Sequence, residues 1–163
     1  MRIDIWSDVA CQSCYTALEH LDLAIAAYGE PVHLAFHAFQ VDADESGVDT
    51  LDAHRLLVLA RHEGVQAEVV SRLMRAHLVE GRDLGDLFTL AEIGIEAGLD
   101  GDRVRQWLAG DHGLEEVEEE LATARDLRIT TVPTFVIDRR YVVQGAQEPA
   151  TFLRVLERLS HAA

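Results

Sequence analysis

The sequence predicts an α/β fold with an all-helical stretch set between two strand-bearing ends. Three observations carry that reading. Strand-like runs occur only before residue 40 and after residue 130. Between them, apolar residues recur at helical spacing, punctuated by Gly64, Gly81, Gly98 and Gly113. The only two cysteines, in Cys11-Gln12-Ser13-Cys14, fall between the first strand-like run and the first helix-like run.

The elements follow in order. Residues 2–6, with Ile3-Asp4-Ile5-Trp6 at their heart, are short and apolar, as a buried strand requires. Tyr15 to Tyr28 reads as a helix with Leu18, Leu21, Ile25 and Tyr28 on one stripe, ended by Gly29 and Pro31. Val32 to Phe39 alternates and reads as a second strand; Asp42 to Thr50 is polar and reads as a loop. Residues 51–127 hold four to five helices, packed as a bundle. Their stripes include Leu56, Leu57 and Ala60, then Val69, Val70, Leu73 and Met74, then Leu87, Leu90, Ala91 and Ile95. Asp83 and Asp100 are candidate N-caps. The acidic run Glu115 to Glu120 has Leu114, Val117 and Leu121 at helical spacing, so it is the solvated face of an amphipathic helix. Thr134 to Ile137 is a strand, Asp138-Arg139-Arg140 a turn, Tyr141 to Val143 a strand, and Glu148 to Leu159 a closing helix. Strand, helix, strand, helical block, hairpin, helix is the order of a thioredoxin fold with a helical insertion. The corresponding division is a thioredoxin-fold domain over 1–50 and 128–163 and a helical insertion subdomain over 51–127.

At 163 residues and 48% hydrophobic content, the chain can bury a real core. No apolar run approaches the ~20 residues needed to cross a bilayer. Met1-Arg2-Ile3-Asp4 enters a strand at once, without the apolar region of a secretory signal, so a cytoplasmic protein with no membrane partner is expected. The net charge of −15 argues against nucleic acid as a partner. All 14 basic residues are arginine, which excludes Schiff-base chemistry and a lysine base.

The cysteine pair carries the chemistry. The attacking species in thiol–disulfide exchange is the thiolate. A helix N-terminus offers unpaired N–H groups and roughly half a positive charge, which stabilise a sulfur anion. Cys11, at the cap, is therefore the candidate nucleophile, with a lowered pKa. Cys14, one turn on and on the same face, is the candidate resolving thiol. A zinc site would need two further ligands, and no second cysteine pair exists; His33 and His37 fall in a strand. Two inert core cysteines are the remaining alternative.

A second constellation lies far downstream. Pro133 stands at the head of the third strand, either as an edge device or in a cis peptide bond. In a thioredoxin fold a cis proline packs against the cysteines and leaves the preceding backbone, here Val132, free to pair with an extended partner. His54 either lines the cleft near Cys11 or is a helix-face histidine bonded locally. Arg55 pairs either with a substrate carboxylate or with the acidic surface, and Asp8 is expected to orient the loop through backbone bonds. Trp6 and Trp107 read as packing residues.

Ser7-Asp8-Val9-Ala10-Cys11-Gln12-Ser13-Cys14-Tyr15 resembles the active-site segment of cytosolic DsbA-like oxidoreductases of the FrnE group. Thr50 to Leu57 resembles that group's second motif, and Glu80-Gly81-Arg82-Asp83-Leu84 its insertion signature. Val132-Pro133-Thr134-Phe135 is similar to its cis-proline motif and Gly145-Ala146-Gln147 to the motif after the hairpin. The resemblance implies a DsbA-like thioredoxin fold, exchange through Cys11, and thiol or disulfide proteins as partners. The wider clan includes 2-hydroxychromene-2-carboxylate isomerases and kappa-class glutathione transferases, so glutathione is a possible cosubstrate, met by Val132 and Gly145-Ala146-Gln147. No other cofactor and no metal are implied, and the chain is expected to be a monomer or homodimer. Two departures stand out: Gln12-Ser13 replaces the usual Pro-Trp, and the loop from Val41 to Thr50 looks short.

Three readings follow. The first is a cytosolic thiol–disulfide oxidoreductase or isomerase with Cys11 and Cys14 catalytic. In that reading Val132, Pro133, His54, Gly145, Ala146 and Gln147 bind substrate. The second is a glutathione-dependent isomerase or transferase, which needs no resolving thiol. The third is a non-catalytic thioredoxin-fold module that binds a peptide.

Overall fold

The structure, a computed structural model, describes residues 1–161. The chain runs β1 (Arg2–Ser7), α1 (Gln12–Tyr28), β2 (His33–Ala38), α2 (Ala43–Ser46) and α3 (Leu51–His62). It continues through α4 (Gln66–Leu78), α5 (Leu87–Glu96), α6 (Gly101–Ala109) and α7 (Leu114–Asp126) to β3 (Thr134–Ile137), β4 (Tyr141–Gln144) and α8 (Pro149–Ser160). The sheet order is β2-β1-β3-β4. β1 pairs with β2 in parallel and with β3 antiparallel, and β3 pairs antiparallel with β4. This is the thioredoxin fold expected from the sequence, with the short α2 and the five longer helices α3 to α7 between β2 and β3.

Alternation along the strands builds the layers. Ile3 and Ile5 of β1, with Phe135 and Ile137 of β3, have no exposed surface and pack with Ala17 and Leu21 of α1 and Phe152 and Leu156 of α8. Phe135 and Phe152 meet edge to face at 5.0 Å, a favoured aromatic geometry. The same apolar cluster runs on through Phe36 into Leu56, Leu73, Leu90 and Ile93 of the inserted helices. The outer edge of β2 is covered by side chains. Gln66 bonds both the N–H (3.1 Å) and the C=O (3.2 Å) of Phe36, and Glu120 accepts from the Ala38 N–H (2.8 Å). That leaves β2 little free edge for an outside strand.

Several expectations need adjustment. α1 begins at Gln12 rather than Tyr15, because the Cys11 side chain caps it and draws the inter-cysteine residues into the first turn. Its end is as expected: Gly29 sits at φ 75° and closes onto Ile25. Asp42 to Thr50 contains the short α2, started by the Asp42 carboxylate, which accepts from the Asp44 N–H (3.0 Å). Asp100 caps α6, but Asp83 caps nothing: its carboxylate accepts from Gly85 N–H (2.8 Å). Fully buried Leu84 pins that turn, and Asp86 caps α5 instead.

Candidate active site

β1 delivers the chain to the loop at Asp8, and the loop delivers Cys11 to the start of α1. Cys11 occupies the N-cap with extended backbone (φ −97°, ψ 114°), and its sulfur accepts from the Cys14 N–H at 3.2 Å. A sulfur thus stands where Ser or Asp would ordinarily cap. Ser13 Oγ lies 3.2 Å from the same sulfur. Cys11 is partly exposed and Cys14 fully buried; both are free thiols, and the two residues come within 2.7 Å of each other.

That placement separates the two thiols. The Cys14 thiol, donating to Cys11, is the largest influence lowering the Cys11 pKa. Burial opposes it, the Ser13 hydroxyl and the Cys14 N–H assist it, and the net value is about 6. Cys14 is pushed up, first by donating to Cys11 and then by burial. A thiol with a value of about 6 is mostly thiolate at pH 7, whereas a free cysteine is mostly protonated. Cys11 is the ionised partner and Cys14 the proton holder.

The loop before Cys11 is anchored by Asp8, which has no exposed surface. Its Oδ2 accepts from the Val41 N–H at 2.7 Å, its Oδ1 lies 3.1 Å from His54 Nε2, and its backbone C=O accepts from the Cys11 N–H at 3.3 Å. The same His54 nitrogen lies 3.0 Å from the Phe39 C=O, so its single N–H is shared between two acceptors. Burial works against the Asp8 charge, but the His54 contacts and the Val41 N–H outweigh it and hold the carboxyl below its usual range. His54 itself is 3% exposed and clasps the Cys11 loop through Asp8.

The downstream half of the site stands beside Cys11. The Val132–Pro133 peptide bond is cis. Ser13 Oγ makes a long 3.5 Å contact with the Val132 C=O, and Cys11 and Val132 pack on the same apolar cluster. The Pro133 C=O accepts from the Gly145 N–H at 2.9 Å. Gly145 stands at φ 75°, where glycine is the residue that fits without strain. Gln147 continues this loop: its C=O accepts from His20 Nδ1 at 2.8 Å, and its side-chain amide donates to the Gln144 C=O at 2.8 Å. Ala146, between them, is exposed. Cys11, Cys14, Val132, Pro133 and Gly145 are therefore linked by contacts, while His54 stands behind the loop.

One side chain differs in part from expectation. Arg55 meets Asp52 at 2.8 Å, but it is only 6% exposed. Its other donors go to the carbonyls of Trp107, Gly110 and His112, so it ties α3 to the α6–α7 turn rather than to the acidic surface. Ser13 was legible only as a departure within the cysteine motif; its hydroxyl position, two residues after Cys11, was the signal that it could reach the sulfur. His20, which holds the Gln147 loop, carried no sequence signal.

A pair of free cysteines at the cap of the helix after the first strand, beside a cis-proline loop and on this sheet, is the arrangement of a thioredoxin-fold protein. The chain belongs to the family of DSBA-like thioredoxin domains, which matches residues 2–157. It is similar to a probable DsbA oxidoreductase from Streptomyces coelicolor, at 27% identity and a TM-score of 0.88, covering 100% of this chain and 91% of that one. It shares its fold with the cytosolic disulfide reductase DsbM from Pseudomonas aeruginosa with GSH (19% identity, TM-score 0.79, 99% and 100% covered). A 2-hydroxychromene-2-carboxylate isomerase has the same fold at 16% identity and a TM-score of 0.81, with 99% and 97% covered. No curated protein sequence matches the chain. Among the described residues no helix is long and apolar enough to cross a membrane.

Proposed function

We propose that this protein is a cytosolic thiol–disulfide oxidoreductase that draws its electrons from glutathione. The observation that carries the reading is the Cys11 sulfur at the α1 cap, ionised beside a protonated Cys14. The Cys11 thiolate attacks one sulfur of a substrate disulfide, forming a Cys11–substrate mixed disulfide and expelling the other substrate sulfur as thiolate. Cys14 then gives its proton to the thiolate expelled in the first step and attacks the Cys11 sulfur, closing the Cys11–Cys14 disulfide and releasing the second substrate sulfur as thiolate. Two electrons pass from the cysteine pair to the substrate, and two glutathione molecules restore the pair by becoming glutathione disulfide. Val132 and Pro133 dock the extended substrate, with Gly145, Ala146 and Gln147 beside them. His54 positions the Cys11 loop through Asp8. The likeness to a cytosolic reductase whose structure was solved with GSH supports glutathione as the thiol source.

Insulin reduction coupled to glutathione tests the proposal. Cys11→Ser should abolish turnover, and Cys14→Ser should accumulate the mixed disulfide, visible by mass spectrometry as an adduct lost on adding dithiothreitol. Persisting turnover in Cys11→Ser would sink the reading. Full turnover in Cys14→Ser would transfer the protein to the glutathione-dependent isomerase class, where no resolving thiol is needed.

A further inference from the structure

The sheet face opposite α1 and α8 is left partly open. Beside the end of α7 it forms a groove of about 600 Å³, within the size range of small-molecule sites. Trp6, Val136 and Val142 line it from the strands, and Leu127 and Ile129 from the segment after α7. Two features distinguish it from an unfilled seam.

The first is charge. In a chain of net charge −15, the groove is lined by three arginines, Arg2, Arg128 and Arg139, against one carboxylate, Asp4. Arg2 is committed to Asp4 at 2.7 Å, and His37, stacked on Trp6, also bonds Asp4. Asp138, next to Arg139, accepts the Arg2 backbone N–H at 2.7 Å. Among the described residues, Arg128 and Arg139 make no ion pair and no side-chain hydrogen bond.

The second is backbone. Arg128 stands at φ 56° directly after the cap of α7. The Arg128 N–H closes onto Arg125 C=O (3.0 Å) and the Ile129 N–H onto Ala124 C=O (2.9 Å), the helix ending in which glycine is the favoured residue. Arg139 stands at φ 57° after Asp138 at φ 47°, in a β3–β4 turn closed by the Arg140 N–H on Ile137 C=O. Glycine is favoured there too. At both positions the backbone would prefer glycine, and at both the chain carries an arginine that faces the same groove without a partner.

We propose that this groove binds a small apolar carboxylate, its charge met by Arg128 and Arg139 and its body laid along Trp6, Ile129 and Val136. A guanidinium fork matches a carboxylate, and the apolar floor calls for a ligand that is more than a bare anion. The groove lies on the sheet face opposite α1, whose cap holds Cys11, and ends at Thr134 and Gln144, next to the Pro133–Gly145 contact.

Calorimetric titration of the full chain with 2-naphthoate, and with uncharged 2-naphthalenemethanol, tests this. The acid should bind saturably and the alcohol at least about tenfold more weakly, the ratio equivalent to one good charged contact. Arg128→Gly and Arg139→Gly should each weaken 2-naphthoate about tenfold, with the melting temperature unchanged or raised. Val142→Glu, at an exposed position on the groove wall, should weaken it as well. No saturable binding of the acid, equal binding of acid and alcohol, or parent-like affinity in both arginine variants overturns the proposal. A lowered melting temperature with affinity retained overturns it too, since the arginines would then serve the fold.

Discussion

Replacing Ser13 by alanine removes one contact that holds Cys11 as a thiolate and leaves α1 intact. Ser13 Oγ is 3.2 Å from the sulfur, and the Cys14 N–H, also at 3.2 Å, remains after the change. A hydrogen bond to a charged group contributes about 1.5–3 kcal/mol. The low end applies because Ser13 is exposed and Cys11 partly so. About 1.4 kcal/mol corresponds to one pKa unit, so Cys11 should move from about 6 to roughly 7. At pH 7 its thiolate fraction then falls from about nine-tenths to about one half. The same change removes about 1 kcal/mol of stabilisation from the reduced form at that pH, lowering the reduction potential by about 20 mV for the two-electron couple. The assay is the pH dependence of iodoacetamide alkylation read by mass spectrometry, in which fully buried Cys14 does not compete. An apparent pKa in Ser13→Ala within about 0.3 of the parent, or a parent value near the ~8.5 of a free thiol, refutes the reasoning.

Two further outcomes follow from the buried polar groups. His54→Ala strips Asp8 of its ring partner while the carboxylate stays buried, which should cost about 2–4 kcal/mol in urea unfolding and shift the Cys11 alkylation profile; a loss below about 0.5 kcal/mol contradicts the clasp. The Glu120–His37 pair should shape stability against pH. Burial opposes the Glu120 charge, but His37, Arg61 and the Ala38 N–H outweigh it and hold the carboxyl at about 2. Its contribution is therefore present above ~4.5 and lost as pH falls towards about 2. Burial likewise opposes the His37 charge, yet Glu120 and then Asp4 raise its pKa, so its contribution is full below ~6.5 and fades as pH rises through the folded value. Urea midpoints of the parent should thus fall on the alkaline side of ~6.5 relative to His37→Gln, and on the acid side of ~4.5 relative to Glu120→Gln. Parent curves parallel to both variants would contradict the signs.

Much of this architecture was legible because it depends on local periodicity. The strands at Ile3–Trp6 and Thr134–Ile137, the helix ending at Gly29, and the helical run from residue 51 all announce themselves by spacing and by glycine. The placement of the cysteine pair was legible for the same reason, since it is set by a strand end and a helix start. What stayed hidden is tertiary. Asp8 and His54 lie 46 residues apart in sequence, and nothing in either segment specifies that they meet. Gln66 and Glu120 guard the β2 edge from two different helices. Arg55 looked like a surface cation because burial of an arginine on backbone carbonyls depends on a turn 55 residues away. Asp83 looked like a cap because capping residues and turn residues are the same residue types.

The dipeptide between the cysteines is where these two kinds of information meet. In the group that the motifs resemble, those positions usually hold Pro-Trp, neither of which offers a hydroxyl. Here Ser13 reaches the Cys11 sulfur at 3.2 Å and, more loosely, the Val132 C=O at 3.5 Å. The one side chain therefore touches both the Cys11 sulfur and the Val132 carbonyl, the two groups that the proposed exchange uses. If an extended substrate strand bonds to Val132, it competes for the carbonyl that Ser13 contacts, and the freed hydroxyl can turn wholly to the sulfur. Thiolate stabilisation and substrate docking are then coupled through Ser13, where a Pro-Trp pair would leave them independent. Ser13→Ala should accordingly lower kcat/KM for a peptide disulfide by less than the twofold fall in thiolate fraction accounts for, because docking no longer displaces the Ser13 contact from Val132, while alkylation by iodoacetamide, which makes no strand contact, follows the thiolate fraction alone. Equal losses in the two reactions would separate the roles and leave Ser13 acting on the sulfur only.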